Sequence, residues 1–311
     1  MSTGPAGHVA RSTIRPYSET LDVTRGGAPL RTFLRTADGV AIDSVYEPRQ
    51  VVYDSSRADF RESGSGVDLV AEEGSDSGAG GGQRAPAFVV AHGFTGHVDR
   101  PHVRRVARVL ARYGAVVTFS FRGHGASGGR STVGDREVLD LAAAVGWARE
   151  LGHTRVATVG FSMGGSVVLR HAALEEPEGG RVDAVVSVSA PARWFYRGTA
   201  PMRRLHWLVT RPSGRLVGRY GLRTRIHHRQ WDPVPLSPVE AVPRIAPTPL
   251  LIVHGDQDGY FPVDHPRMLA AAAGEGGELW LEAGMGHAEN AAPDGLLRRI
   301  GDWAVTRRGL A

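Results

Sequence analysis

Cysteine is missing from this 311-residue chain, which excludes disulfide scaffolds, thiolate metal sites and cysteine nucleophiles together. No apolar run approaches the roughly 20 residues a membrane-spanning helix needs, which excludes an integral helical membrane protein. Residues 1–10 hold no apolar stretch of the signal-peptide kind, so the expectation is a cytoplasmic protein. Lysine is absent too: all 37 basic residues are arginine, set against 32 acids for a net charge of only +5. That small excess is unevenly spread. Residues 193–229 hold ten arginines and no acid, so the rest of the chain carries a net −5. Hydrophobic residues make up 41% and charged residues 22%, a globular balance, and the length suits one large α/β domain or two small domains.

Residues 1–28 are polar and aperiodic and read as a poorly ordered arm. Two short runs, 30–36 and 40–46, flank Asp38-Gly39 and predict a β-hairpin. Residues 57–86 are rich in glycine, serine and acids, with little to bury, and read as a disordered insertion. From there the pattern alternates. Strands are expected at 87–91, 115–119, 156–160, 184–189, 249–253 and 278–282, with helices at 101–112, 135–150, 164–174, 265–273 and 293–306. Nearly all-apolar strands between amphipathic helices imply an α/β fold with a mostly parallel central sheet and helices on both faces. The core then spans 29–191 and 244–311. Residues 192–243 fall between two strands and must form an excursion outside the sheet.

Gly160-Phe161-Ser162-Met163-Gly164 matches G-x-S-x-G between an expected strand and an expected helix. In that context the glycines permit a sharp turn that holds the Ser162 hydroxyl exposed for nucleophilic attack. The bland alternative is a serine capping a helix in a glycine-rich turn. Upstream, His92-Gly93-Phe94-Thr95-Gly96 ends a strand. Backbone N–H groups of Phe94 and of Met163, the residue after the serine, could hold a developing oxyanion.

With Phe121-Arg122-Gly123-His124-Gly125-Ala126-Ser127 closing the next strand, the chain resembles the α/β-hydrolase superfamily, in its serine esterase, lipase and S33-peptidase-like branch. HGFTG, FRGHGASGG, GFSMGG, HGDQD and GMGH stand in that superfamily's order, from about residue 30 to 305. An acid and then a histidine should follow the serine in the chain. The strand at 249–253 runs into a loop with Asp256 and Asp258, and the family pattern G-x-x-D selects Asp258, leaving Asp256 to bind loop backbone. Only His265 and His287 lie beyond Asp258. His265 opens a helix seven residues later, whereas His287, in Gly284-Met285-Gly286-His287, directly follows the last strand.

The implied chemistry is ester hydrolysis by Ser162, His287 and Asp258 through an acyl-enzyme, needing no metal or organic cofactor. His92, His97 and His102 recur every five residues, but across a strand end and a loop, which suits loop structure better than a metal site. The resemblance implies that His124 braces the loop near the oxyanion site and that the excursion is a mainly helical cap. Trp194, Phe195 and Trp207 in it are candidates to line a substrate pocket. Its arginines could draw an anionic substrate or an anionic membrane surface, or be a solvated face partnered with the acidic body. No nucleic acid is expected, since no stacking platform is evident. The expected partner is a small-molecule ester with a hydrophobic acyl or aryl group. A peptidase or acyltransferase with the same three residues, and a non-enzymatic binding module on the same fold, remain alternatives.

Overall fold

Short runs of Val, Ala, Phe and Ile become strands here because both faces of the sheet they form are covered. The computed structural model describes residues 28–50, 85–174, 177 and 179–306. Its strands are β1 (Leu30–Arg35), β2 (Ala41–Glu47), β3 (Ala87–Ala91), β4 (Ala115–Phe119), β5 (Val156–Phe161), β6 (Ala184–Val188), β7 (Leu250–Gly255) and β8 (Gly277–Glu282). They form one sheet in the order β1-β2-β4-β3-β5-β6-β7-β8. The β1–β2 and β2–β4 pairings are antiparallel and all later ones parallel. This is the expected mostly parallel α/β sheet.

The helices are α1 (Pro101–Leu110), α2 (Glu137–Glu150), α3 (Met163–Ala172), α4 (Ala200–Thr210), α5 (Pro212–Gly221), α6 (Pro238–Ala241), α7 (Asp264–Ala273), α8 (Ala288–Ala291) and α9 (Asp294–Thr306). The pleat of β3 shows how they are laid down. Ala87, Val89 and Ala91 face a layer holding Leu141 of α2, Val167 of α3 and Leu269 of α7. Phe88 and Val90 face the opposite layer, with Val106 and Leu110 of α1 and Leu297 and Ile300 of α9. Each such large apolar side chain, buried on folding, contributes about 1.5–3 kcal/mol. Pro101 at the first turn of α1, with Val103, Val106, Ala107 and Leu110 buried along one face, accounts for that helix.

Several expectations need adjustment. Residues 1–27 and 51–84 lie outside the described residues, and with them most of the expected arm and insertion. Ala85 and Pro86, assigned to that insertion, are tied down: the Ala85 carbonyl meets His153 Nδ1 at 2.8 Å, and the Pro86 carbonyl accepts the Ala115 N–H at 3.0 Å. Helix α2 starts at Glu137 rather than 135 because the Glu137 carboxylate is occupied by the preceding loop. It accepts the N–H groups of Thr132 (2.8 Å) and Gly134 (2.9 Å) and the hydroxyls of Ser131 (2.8 Å) and Thr132 (2.6 Å). The excursion after β6, expected over 192–243, carries the helices α4, α5 and α6. Ala241, Val242 and Ile245 are buried, and Val242 and Ile245 belong to the sheet's own core layer. Among the described residues, Arg193 is the one arginine of 193–229 in an ion pair, with Asp264 at 3.1 Å. No described helix is long and apolar enough to cross a membrane.

Candidate active site

Three connections at the carboxyl ends of parallel strands build the site, the end where open α/β sheets hold ligands. The first is the β5–α3 turn. Ser162 sits between the two elements with φ +52° and ψ −113°, a conformation that L residues rarely adopt. Its neighbours permit this only by lacking side chains. A Cβ on Gly164 would lie 2.2 Å from the Ala91 carbonyl oxygen, and one on Gly160 would lie 2.2 Å from the Gly164 oxygen. The Ser162 N–H donates to the Val188 carbonyl at 2.8 Å, fixing the turn to β6.

The second and third connections follow β7 and β8. Asp258 Oδ1 accepts the N–H groups of Tyr260 (2.8 Å) and Phe261 (3.1 Å), so the loop folds around its own carboxylate. Oδ2 lies 2.7 Å from His287 Nδ1, and His287 Nε2 lies 2.9 Å from Ser162 Oγ. A carboxylate at Nδ1 requires that nitrogen to carry the proton, so Nε2 is the acceptor for the serine hydroxyl. Burial alone would raise the Asp258 carboxyl, but the hydrogen bond and charge of His287 and the two backbone donors outweigh it and hold the group below its ordinary value. Asp256 instead accepts the Gly284 N–H at 2.7 Å. His265 is engaged elsewhere, with Nδ1 accepting the Ala192 N–H at 2.9 Å.

Residues 88–299 match the family model described as "Alpha/beta hydrolase family". The chain belongs to the alpha/beta hydrolase family. It is a hydrolase, and its fold is shared widely. It is similar to the esterase Pf2001 of Pyrococcus furiosus at 21% identity and a TM-score of 0.61, over 90% of this chain and 92% of that one. It is similar to the alpha/beta hydrolase GrgF from Penicillium sp. sh18 at 18% identity and a TM-score of 0.62, over 90% and 98% of the two chains. Est1E from Butyrivibrio proteoclasticus gives 17% identity and a TM-score of 0.53, over 89% and 99%. At such identities the likeness is one of fold.

In this hydrolase the loop after β3 lies beside the serine. A Cβ on Gly93 would be 3.5 Å from Ser162 Cβ. Phe94 follows Gly93, and Met163 opens α3, where the first N–H groups have no helical acceptor. The loop is held from three sides. His92 Nε2 accepts the Phe121 N–H at 3.1 Å, while its Nδ1 donates to the Gly93 carbonyl at 2.7 Å. The His124 ring packs edge-on against Phe94, with ring centres 5.4 Å apart. Glu289, buried, accepts the Gly93 N–H at 2.9 Å.

Two cavities meet at Ser162. One, of about 360 Å³, is walled by Phe94, Val133, Trp194, Phe195, Tyr196 and Trp231. Its walls brace one another: the Trp194 and Trp231 rings lie 5.1 Å apart, and Trp231 Nε1 donates to the Thr132 carbonyl at 2.7 Å. The other, of about 610 Å³, is lined by His287, Tyr260, Glu289, Arg100, Arg204 and Trp207. Trp194 and Phe195 therefore line the first cavity and Trp207 the second.

Sequence reading missed Tyr260, whose ring stacks on that of His287 at 4.2 Å. It also missed Ser189 and Ala288, both at positive φ, whose Oγ···H–N bond of 3.1 Å ties the histidine loop to the end of β6. Glu289 and Glu137 went unnoticed as well. For Glu289 the available signal was an acid two residues past the loop histidine. For Glu137 it was an acid just beyond a Ser-Thr pair in a glycine-bearing loop.

Proposed function

We propose that this hydrolase cleaves carboxylic esters bearing a hydrophobic acyl or aryl group, with Ser162 as nucleophile. The observation that carries the reading is the continuous chain Ser162 Oγ–His287–Asp258, at 2.9 and 2.7 Å, where two cavities meet. His287 Nε2 takes the Ser162 proton as Oγ bonds to the ester carbonyl carbon, and Asp258 stabilises the imidazolium. The N–H groups of Phe94 and Met163 receive the oxyanion. The bond from the carbonyl carbon to the alcohol oxygen then breaks, and His287 returns its proton to that oxygen. This leaves an acyl group on Ser162. Water attacks the acyl carbon in turn, gives a proton to His287, and Ser162 Oγ leaves and recovers it.

Residues 192–243 act as a cap in this reading, and their aromatic side chains form the wall against which the acyl group packs. The test is a panel of p-nitrophenyl esters of graded acyl length beside aminoacyl-p-nitroanilides. Ester turnover, best with bulky or aryl acyl groups, is the expected result. Preferential cleavage of the anilides would replace the esterase reading with a peptidase.

A further inference from the structure

Helix α5 is amphipathic the wrong way round. A helix at a protein surface ordinarily buries its apolar side chains and shows water its polar ones. In α5 the buried positions are Gly214 and Gly218, while the large apolar side chains face solvent: Leu216 is 58% exposed, Val217 49% and Tyr220 74%. The glycines explain how the helix stays docked without an apolar face. A Cβ on Gly214 would lie 2.5 Å from the Trp207 carbonyl oxygen of α4, and one on Gly218 3.1 Å from Ile226 Cδ1, so backbone packs directly on the neighbours. At 3.6 residues per turn, Leu216, Val217 and Tyr220 fall within one arc of about 100°. A grouped apolar surface of this kind marks a place of contact with something other than water.

The charge around that arc has one sign. On α4 the exposed Arg203, Arg204 and Arg211 stand three and four residues from the exposed Trp207, and so share its face. Arg219 lies on α5, its guanidinium 5.4 Å from the centre of the Tyr220 ring, and the exposed Arg223 follows just past the helix end. Residues 193–231 contain no acid, and among the described residues only Arg193 of their ten arginines pairs with a carboxylate. Arginines around exposed aliphatic and aromatic side chains fit an anionic bilayer, whose phosphates pair with guanidinium groups while the apolar side chains enter the acyl boundary. A second copy of this face would bring like charges together, and a nucleic acid would leave Leu216 and Val217 without a counterpart. Arg204 and Trp207 also line the cavity beside His287, so this face adjoins the site.

We propose that the α4–α5 pair docks this protein on an anionic bilayer surface, with Leu216, Val217 and Tyr220 entering the interface and the arginines holding lipid phosphates. Such docking does not depend on which bond the site cleaves. The test is co-sedimentation of the full chain with vesicles of phosphatidylcholine, alone or with roughly a third phosphatidylglycerol. At low salt the anionic vesicles should bind about tenfold or more tightly than the neutral ones, and the difference should shrink as sodium chloride rises to about 0.5 M. Leu216→Gln, Val217→Gln and Tyr220→Gln combined should weaken binding to anionic vesicles about tenfold. Arg211→Gln, Arg219→Gln and Arg223→Gln combined should remove most of the preference for them. None of these six side chains lines either cavity, so both variants should keep the parental melting temperature and turnover of a soluble p-nitrophenyl ester. No binding to vesicles, equal binding to both kinds, or anionic binding that either variant retains in full would overturn the proposal. A dimer that the apolar variant returns to monomer would assign the face to a second copy and overturn it too. If a variant does not fold, the lipid and salt dependence of the native protein decides alone.

Discussion

Replacing Asp258 by Asn changes one atom and should nearly silence the enzyme, for a reason written in the loop. Asp258 Oδ1 is held by the N–H groups of Tyr260 and Phe261 at 2.8 and 3.1 Å. An asparagine there must leave its oxygen on those two donors, because its NH₂ cannot accept them. The NH₂ is thereby turned toward His287 Nδ1, now 2.7 Å from Oδ2. Two donors cannot face each other, so Nδ1 gives up its proton and the imidazole carries it on Nε2. That nitrogen then confronts Ser162 Oγ, 2.9 Å away, as a donor and cannot take the serine proton. The corresponding change in a serine-protease triad lowers kcat about 10⁴-fold with geometry intact, equivalent to about 5.5 kcal/mol of transition-state stabilisation. The same order is expected here. Asp256→Asn is the control: its Oδ1 accepts only the Gly284 N–H, at 2.7 Å, which an amide oxygen also accepts. Its kcat should stay within about twofold of the parent, as for most substitutions of exposed residues away from chemistry. The assay is steady-state hydrolysis of a p-nitrophenyl ester with melting temperatures measured in parallel. An Asp258→Asn enzyme that keeps a tenth of the parental kcat, or an Asp256→Asn enzyme that loses more, would refute the reasoning.

Other consequences concern stability. Gly164→Ala should abolish soluble folding or displace the Ser162 turn, since its Cβ would lie 2.2 Å from the Ala91 carbonyl oxygen, whereas Gly295→Ala, with open space around it, should be neutral or stabilising by up to about 1 kcal/mol in melting experiments. Burial pushes His124 and His265 down to about 4 and lowers His92 well below its usual value. The unfolded chain then binds the extra protons, so stability held above about pH 6.5 should fall as the pH drops toward 4, by up to about 3 kcal/mol for each of His124 and His265. Urea titrations at pH 7.5, 5.5 and 4.5 check this, and stability that is flat with pH would contradict it.

The parts of the molecule legible in its sequence are those that local chemistry dictates. The Asp38-Gly39 turn is one, with Gly39 at φ +82° and strands pairing from Arg35↔Ala41 outward. The strands buried on both faces are another, because Val, Ala and Phe runs such as 87–91 admit few other roles. Ser162 and His287 are picked out by chain order and strand ends, and Asp258 over Asp256 by the family pattern G-x-x-D; the fold brings the three within hydrogen-bonding distance of one another. What escaped depends on partners far apart in the chain. The isolated bridges His124↔Thr224 and Ser131↔Ile226 join the excursion to the loop after β4 across about a hundred residues, without any periodic signal. Glu289 is a single acid whose partner, Gly93, stands 196 positions away. The acid beside the loop histidine could be marked in the sequence, but its burial and its distant partner come only with the fold.

Hydrolysis by this site requires Ser162 as the nucleophile, and covalent labelling tests that most directly. Intact protein treated with a fluorophosphonate should gain one adduct, located by peptide mass spectrometry on the fragment carrying Ser162. Ser162→Ala should take up none and lose ester turnover, with its melting temperature unchanged. An adduct on another residue, or an alanine variant that hydrolyses esters as fast as the parent, would contradict it.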